Sequence, residues 1–222
     1  MALDWLFEGQ NLARLAHGLW LTAEISLVSV LLSCILGVLF GLLMRMRSRA
    51  VRIFCALYLE AVRIMPILVW LFVLYFGLAA WSNIHIDGVW VCIWVFVFWG
   101  TGEMGDLVRG ALESIEKHQI ESAKALGLKP VQIFRYIELP QSVRRALPGA
   151  INLFTRMVKT SSLAALIGVV EVVKVGQQII ENSLLGNPGA SFWVYGLIFI
   201  LYFCCCWPLS LLAGHLEKKW EA

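Results

Sequence analysis

Five apolar stretches, near residues 19–44, 60–80, 89–112, 147–170 and 191–214, fill most of this 222-residue chain. Each is long enough to cross the roughly 30 Å of a bilayer's hydrocarbon, which takes about 20 helical residues. Backbone N–H and C=O groups find no water there, so such a stretch must close its hydrogen bonds within itself, as a helix. The expected fold is an all-α integral membrane protein with about five transmembrane helices. Residues 1–222 read as a single transmembrane domain, with no internal repeat and no separating linker. Composition agrees, at 60% hydrophobic and 15% charged, against roughly 45–50% apolar in soluble domains. The opening MALDWLFEGQNLARLAHG has no basic start followed by an apolar core and a small-residue cleavage site, so no cleaved signal peptide is expected.

Orientation follows from the basic residues. Arg45, Arg47, Arg49 and Arg52 follow the first stretch; Lys117, Lys124, Lys129, Arg135, Arg144 and Arg145 lie between the third and fourth; Lys218 and Lys219 follow the fifth. These twelve fall on one side, against Arg14 and Lys174 on the other. The positive-inside rule then puts the 113–146 loop and the C-terminus in the cytoplasm and the N-terminus outside. Trp81, Trp90 and Trp193 fall near the outer interface, where aromatic belts form. Residues 171–190 are too polar to cross and read as an outer loop, with room for a short helix, broken at Gly186-Asn187-Pro188-Gly189.

The 113–146 loop carries its own local design. Residues 117–126 favour a short helix, and Gly127 stands where a helix end wants a left-handed residue. Pro130 suits the first position of a second helix with Ile133, Phe134 and Ile137 on its apolar side, and Pro140 is expected to limit that helix. The product is a helix-turn-helix standing out of a membrane protein, with an amphipathic loop without a partner as the bland reading. Lys124, Lys129 and Arg135 make too small a basic surface for a nucleic-acid partner.

Within the fourth stretch, Asn152, Thr155, Arg156, Lys159, Ser162 and Leu163 fall on one side at 100° per residue, with Ala150, Leu153, Phe154, Met157 and Val158 opposite. A cation near a helix centre costs about 2.5–3.5 kcal/mol on insertion scales, so this side is expected to face protein or water. Snorkelling or an interhelical salt bridge is the alternative to lining a pathway. The third stretch offers Glu103, Asp106 and Glu113 as counter-charges, and Asp106 can pair with Arg109 at i, i+3. Gly37-x-x-x-Gly41 and the glycines at 100, 102 and 105 permit close helix approach. The four histidines and six cysteines show no metal-ligand spacing, and the cysteines read as small residues buried in the membrane.

Glu121-Ser122-Ala123, then Gly127, then Ile137-x-Leu139-Pro140 resembles the EAA loop of the permease subunits of bacterial ABC importers. Arg109-Gly110, Ile115, Gln119, Gln141, Arg144, Leu147-Pro148, Asn152, Lys159 and Ser162-Leu163 resemble the polar amino-acid uptake subfamily of the glutamine, glutamate and histidine type. So do Gly18-x-x-x-Thr22 and Arg63-x-x-Pro66, so the likeness covers nearly the whole chain. The resemblance implies a subunit of the bacterial inner membrane forming half of a translocation pathway by alternating access. It implies partners: cytoplasmic ABC ATPases, a second permease subunit (identical or homologous) and an extracytoplasmic amino-acid-binding protein. It implies coupling through Glu121, Ser122, Ala123, Gly127, Ile137, Leu139 and Pro140, with a gate or interface at Arg63 and Pro66. Asp106, Arg109, Asn152, Arg156 and Lys159 become candidates for the pathway. The subfamily usually has Glu in place of Asp106, an aromatic in place of Glu103 and Asp-Thr in place of Thr160-Ser161, so a specific substrate does not carry over.

No GxxxxGK[ST] loop is present, so no cofactor is expected on this chain and ATP is expected to be used by the partner subunit. No convergent set such as HExxH supports a membrane enzyme. An oligomeric channel or secondary transporter for a small polar solute is the competing reading, and the lack of inverted halves counts against many such designs. The charge asymmetry yields a direct test. A cysteine placed at Asn187 in a background without reactive thiols is expected to label from outside intact cells, and one at Lys129 is not; the reverse pattern would overturn the orientation.

Overall fold

The computed structural model describes residues 9–82, 84–183 and 187–221. Every regular element among them is a helix: α1 (Asn11–Met44), α2 (Arg49–Ile64), α3 (Ile67–Ser82), α4 (Gly88–Glu113), α5 (Lys117–Ala125), α6 (Pro130–Ile167), α7 (Val172–Ser183) and α8 (Ala190–Glu221). α1, α4 and α8 are each long and apolar enough to cross a membrane alone. The pairs α2–α3 and α6–α7 pass the same test together but are bent by 98° and 49°. Five spans result when each bent pair counts as one.

Two boundaries differ from the sequence expectation. The second stretch is not one helix from 60 to 80. Pro66 has no N–H to continue the helical ladder and biases Met65 to an extended conformation (φ −83°, ψ 128°), so the chain turns sharply there. What precedes the turn is a separate amphipathic helix, α2, which the sequence reading did not separate out. Pro140, conversely, does not limit the second loop helix. The turn Phe134–Glu138 is widened to the π form, with the Leu139 N–H bonded to the Phe134 carbonyl five residues back. The wider ladder takes up the missing Pro140 donor and eases its ring past the preceding turn. The helix from Pro130 therefore runs on as the fourth span. The short helix for which residues 171–190 left room is present as α7; residues 187–189 of the expected break separate it from α8, with Gly186 outside the described residues.

α4 is the central helix. Most of its apolar window, 61%, is buried, against 33% for α1 and 17% for α8; the latter two turn their remaining apolar side chains outward, as lipid-facing helices do. α1 lies parallel to α4, with Gly37 over Met104 and Gly41 over Gly105 and Val108. A Cβ on Gly37 would lie 2.5 Å from the Met104 Cβ, and one on Gly41 2.8 Å from the Gly105 carbonyl oxygen. The Gly-x-x-x-Gly spacing thus sets the separation of the two helices, where contact dispersion rather than water exclusion supplies the attraction. One core joins Ile25, Leu71, Val91, Val95 and Phe96 to Ile167 and Val169. A second joins Val30, Val62, Trp99 and Met104 to Leu153 and Met157. Trp81, Trp90 and Trp193 are exposed at the end of the bundle opposite the arginine run.

A third core, Leu15, Val172, Val175, Ile179, Val194 and Ile198, holds α7 between α1 and α8. Glu171 anchors this group although it is wholly buried. One carboxylate oxygen accepts from the Val173 and Lys174 N–H groups (2.9 and 3.0 Å) and caps α7; the other accepts from the Thr22 hydroxyl (3.3 Å) and the Tyr202 hydroxyl (3.4 Å). Gly18, one turn before Thr22, leaves room for the Val172 backbone, which a Cβ there would meet at 3.0 Å. The Gly18-x-x-x-Thr22 spacing is thereby the imprint of this junction on α1. Glu171→Ala is expected to leave these donors without an acceptor, at about 1–3 kcal/mol, and to speed hydrogen exchange across 172–176 while leaving α4 unaffected. Unchanged exchange in that segment would show that Glu171 does not hold α7.

Candidate functional site

At the end of the bundle that bears the arginine run, α5 and the start of α6 form the helix-turn-helix. Gly127 takes φ +82°. Its N–H bonds the Lys124 carbonyl (2.9 Å) and the Leu128 N–H bonds the Ala123 carbonyl (3.1 Å). This double closure satisfies the last carbonyls of α5 and needs a left-handed residue at Gly127. The Lys129 N–H donates to the Gln132 side chain (2.8 Å), and Pro130 opens α6. Gln141 reaches back to Gln119 (2.7 Å), tying the two helices together. Ala123 and Ile133 are buried, while Glu121, Ser122, Leu139 and Pro140 are exposed and Ile137 is half-buried. The apolar side chains of Leu126, Val131 and Tyr136 also point outward, between 66 and 80% exposed. An apolar surface of this kind, rimmed by Glu121 and Lys124 on a polar loop, is suited to a partner.

The loop is fixed to the bundle by an ion pair that the sequence reading did not identify. Glu138, buried in the widened turn, accepts two hydrogen bonds from Arg45 at the end of α1 (3.1 and 3.2 Å). Each residue was visible in the sequence, but a pairing across 93 positions leaves no local signal.

Four charged groups form a chain across the ends of α2 and α4. Arg63 pairs with Asp106, whose other oxygen accepts from Arg109 (2.6 and 3.1 Å); Arg109 also reaches Glu113 (2.9 Å). The expected Asp106–Arg109 pairing is present, and Arg63 joins it because the turn at Met65-Pro66 brings α2 alongside α4. A cleft of about 390 Å³ opens here, bordered by Arg63, Glu103, Asp106, Gly110, Ser114 and Arg145. Its polar border in a membrane-spanning bundle marks it as a place that water or a polar solute can enter.

α6 divides its polar side in two. Arg156 pairs with Glu103 (2.7 Å) and lies over the Trp99 ring, 4.9 Å from its centroid. Asp106 and Glu103, two of the counter-charges open to Lys159 from the sequence beside the carboxylate of a bound amino acid, are paired with arginines, and the lysine turns toward α8. It lines a cleft of about 310 Å³ with Thr155, Tyr202, Phe203, Trp207 and Ser210. Among the described residues it makes no ion pair. Asn152, one turn before Arg156, is exposed, and its side chain makes no hydrogen bond among the described residues. Pro66 stands at the α2–α3 elbow rather than in the cleft. No group of three or more metal-ligating side chains occurs among the described residues.

Comparison with known proteins places this arrangement. Residues 35–221 match the model of the family described as binding-protein-dependent transport system inner membrane component. The chain is 28% identical to the probable glutamine ABC transporter permease protein GlnP of Bacillus subtilis, over 96% of each chain. It is 32% identical to the probable amino-acid ABC transporter permease protein YckA of the same organism, over 91% of this chain and 87% of that one. Its fold matches a crystal structure of an amino acid ABC transporter with histidines at a TM-score of 0.87 and 22% identity, covering 99% of this chain and all of that one. Because the match takes in the helix-turn-helix, the widened turn and the charged faces of α4 and α6 together, the chain belongs to the family of inner membrane components of binding-protein-dependent transport systems.

Proposed function

We propose that this inner-membrane permease subunit imports a polar amino acid, with the helix pair at Lys117–Glu138 as the contact to its ATPase. One observation carries the reading: the capped helix pair leads without a break into α6, which presents Arg156 and Lys159 at membrane depth. Motion imposed on the loop is motion of the pathway wall. The basic end of the bundle faces the cytoplasm in this reading, which sets the outward apolar side chains of the loop where a cytoplasmic ATPase can cover them. The family works with an ATPase and a substrate-binding protein on separate chains; ATP is used on the former, and the opposite end of the bundle, near α7, receives the latter.

A permease pairs with a second such subunit, identical or homologous; in this reading the charged cleft of α4 and the Lys159 cleft between α6 and α8 both open to the pathway between them. Arg63 of α2 and Asp106, Arg109 and Glu113 of α4 neutralise one another, and Arg156 is held by Glu103. Among the described residues, Lys159 is the one cation at membrane depth on α6 without an ion pair, and its ammonium suits the carboxylate of an amino acid. The glutamine and amino-acid permeases to which the chain is similar support this substrate class. A second copy closing over the exposed faces supplies the water-filled enclosure that these charges need.

Two substitutions test the reading in a complex reconstituted with its ATPase and binding protein. Gly127→Val forces a branched side chain into a left-handed backbone at a cost of about 1 kcal/mol or more. It is expected to lower substrate-stimulated ATP hydrolysis and uptake together while the subunit still inserts; normal coupling in this variant would overturn the docking assignment. Lys159→Met keeps the side chain's length and breaks no ion pair. It is expected to leave complex yield unchanged and to abolish or retune uptake across a panel of radiolabelled amino acids. Wild-type uptake of every substrate would exclude Lys159 from the pathway.

A further inference from the structure

Tyr202 of α8 takes part in two places at once. It lines the Lys159 cleft beside Phe203, Cys206 and Trp207. Its hydroxyl donates to Glu171 (3.4 Å), the wholly buried carboxylate that caps α7 and does not border the cleft. The other polar side chains of the cleft stay local. Thr155 donates to the Ile151 carbonyl of its own helix (3.1 Å), and the side chains of Lys159 and Ser210 make no hydrogen bond among the described residues. Tyr202 is therefore the polar group through which the cleft wall reaches α7.

Glu171 holds its donors unevenly. Oε1 accepts from the Val173 and Lys174 N–H groups at 2.9 and 3.0 Å, ordinary distances for such bonds. Oε2 accepts from the Thr22 and Tyr202 hydroxyls at 3.3 and 3.4 Å, well beyond the roughly 2.5–2.7 Å of a strong hydroxyl–carboxylate bond. Thr22 also shares its proton with the Gly18 carbonyl (3.0 Å), and Lys174 turns its ammonium to Gln177 (3.4 Å) rather than to Glu171. The carboxylate is thus firm toward α7 and loose toward α1 and α8. A bond that long tightens or fails with a small displacement of the tyrosine, and the tyrosine forms part of the wall that a solute in the cleft touches. Further along, α7 is held by packing instead: a Cβ on Gly176 would lie 2.3 Å from the Ile198 side chain. What Tyr202 governs is the first turn.

We propose that Tyr202 is a positioning residue that links occupancy of the Lys159 cleft to the first turn of α7. A solute packed against Tyr202 holds its hydroxyl on Glu171 and so firms the α7 cap; an empty cleft leaves the side chain free to withdraw it. By linkage, a firm cap in turn favours an occupied cleft. α7 lies toward the end of the bundle opposite the arginine run, which the proposed orientation puts outside, so the state of the cleft is carried to the side where a binding protein delivers its load. The inference rests on the assignment of the Lys159 cleft to the transported amino acid.

The test is hydrogen exchange of residues 172–176 in the nucleotide-free complex with its ATPase in lipid nanodiscs, alone and with L-glutamine, L-glutamate or L-histidine at millimolar concentration. In the wild type at least one of these is expected to slow exchange by about fivefold, the lower end of usual coupling between sites. Tyr202→Phe keeps the ring and the cleft wall. It is expected to speed exchange without solute by about tenfold and to abolish the solute's effect. Thr22→Val removes the other hydroxyl from the same carboxylate oxygen, at a residue that does not border the cleft. It is expected to speed exchange too but to keep the solute's effect, which separates a link through Tyr202 from a mere loosening of the clasp. A solute effect that survives in Tyr202→Phe, one lost equally in Thr22→Val, or none in the wild type would overturn the proposal. Uptake by Lys159→Met in the same complexes tells which reading has failed. Normal uptake means the substrate assignment falls and takes the link with it; abolished or retuned uptake means the link falls alone.

Discussion

A backbone hydrogen bond left unmade inside hydrocarbon costs several kcal/mol, and this requirement governs where the chain can bend. The sharp turn at Met65-Pro66 lies at the end of the bundle that carries the arginine run, where polar groups can be solvated. Pro140 falls where a helix must instead continue, and the ladder widens by one residue to let it pass. At the break between α6 and α7, Glu171 supplies an acceptor to the two freed N–H groups and takes hydroxyl donors from α1 and α8. The break between α6 and α7 therefore has an identifiable group, Glu171, that satisfies the exposed backbone.

Charge follows a second economy. α4 and α6 carry five charged groups close to the membrane interior, and four of them, Glu103, Asp106, Arg109 and Arg156, are engaged in pairs. The arrangement lets a polar face exist among apolar helices without leaving bare carboxylates. Lys159 departs from it, and its aromatic and hydroxyl surroundings give it no counter-ion. The asymmetry leaves one positive site on the face of α6 turned toward α8.

Much of this was legible in the sequence because the signals are local. Hydropathy marked the apolar runs, the i, i+3 spacing gave Asp106–Arg109, and Gly127 with Pro130 gave the loop's turn. Gly37-x-x-x-Gly41 predicted a close helix contact without naming its partner. The features that escaped depend on distance. Arg45 with Glu138 and Arg63 with Asp106 join residues 93 and 43 positions apart, and Thr22 with Glu171 joins 149. α2 was hidden because its apolar side merges with the run that follows it, so a hydropathy window sees one long span. Pro140 misled for a physical reason: it stops a regular α-helix, but a π turn just before it removes the conflict.

The continuity of α6 makes it a lever. At about 1.5 Å per residue, Pro130 to Ile167 measures about 55 Å, longer than the hydrocarbon is thick. A tilt of roughly 5° about one end carries the other by roughly 5 Å, one helical turn. Arg45 gripping Glu138 supplies a fulcrum near the loop, and the short arm beyond it is the part exposed to solvent. A small push on that arm is therefore amplified at the far end of the beam, where the 49° bend and the Glu171 clasp hand the displacement to α7.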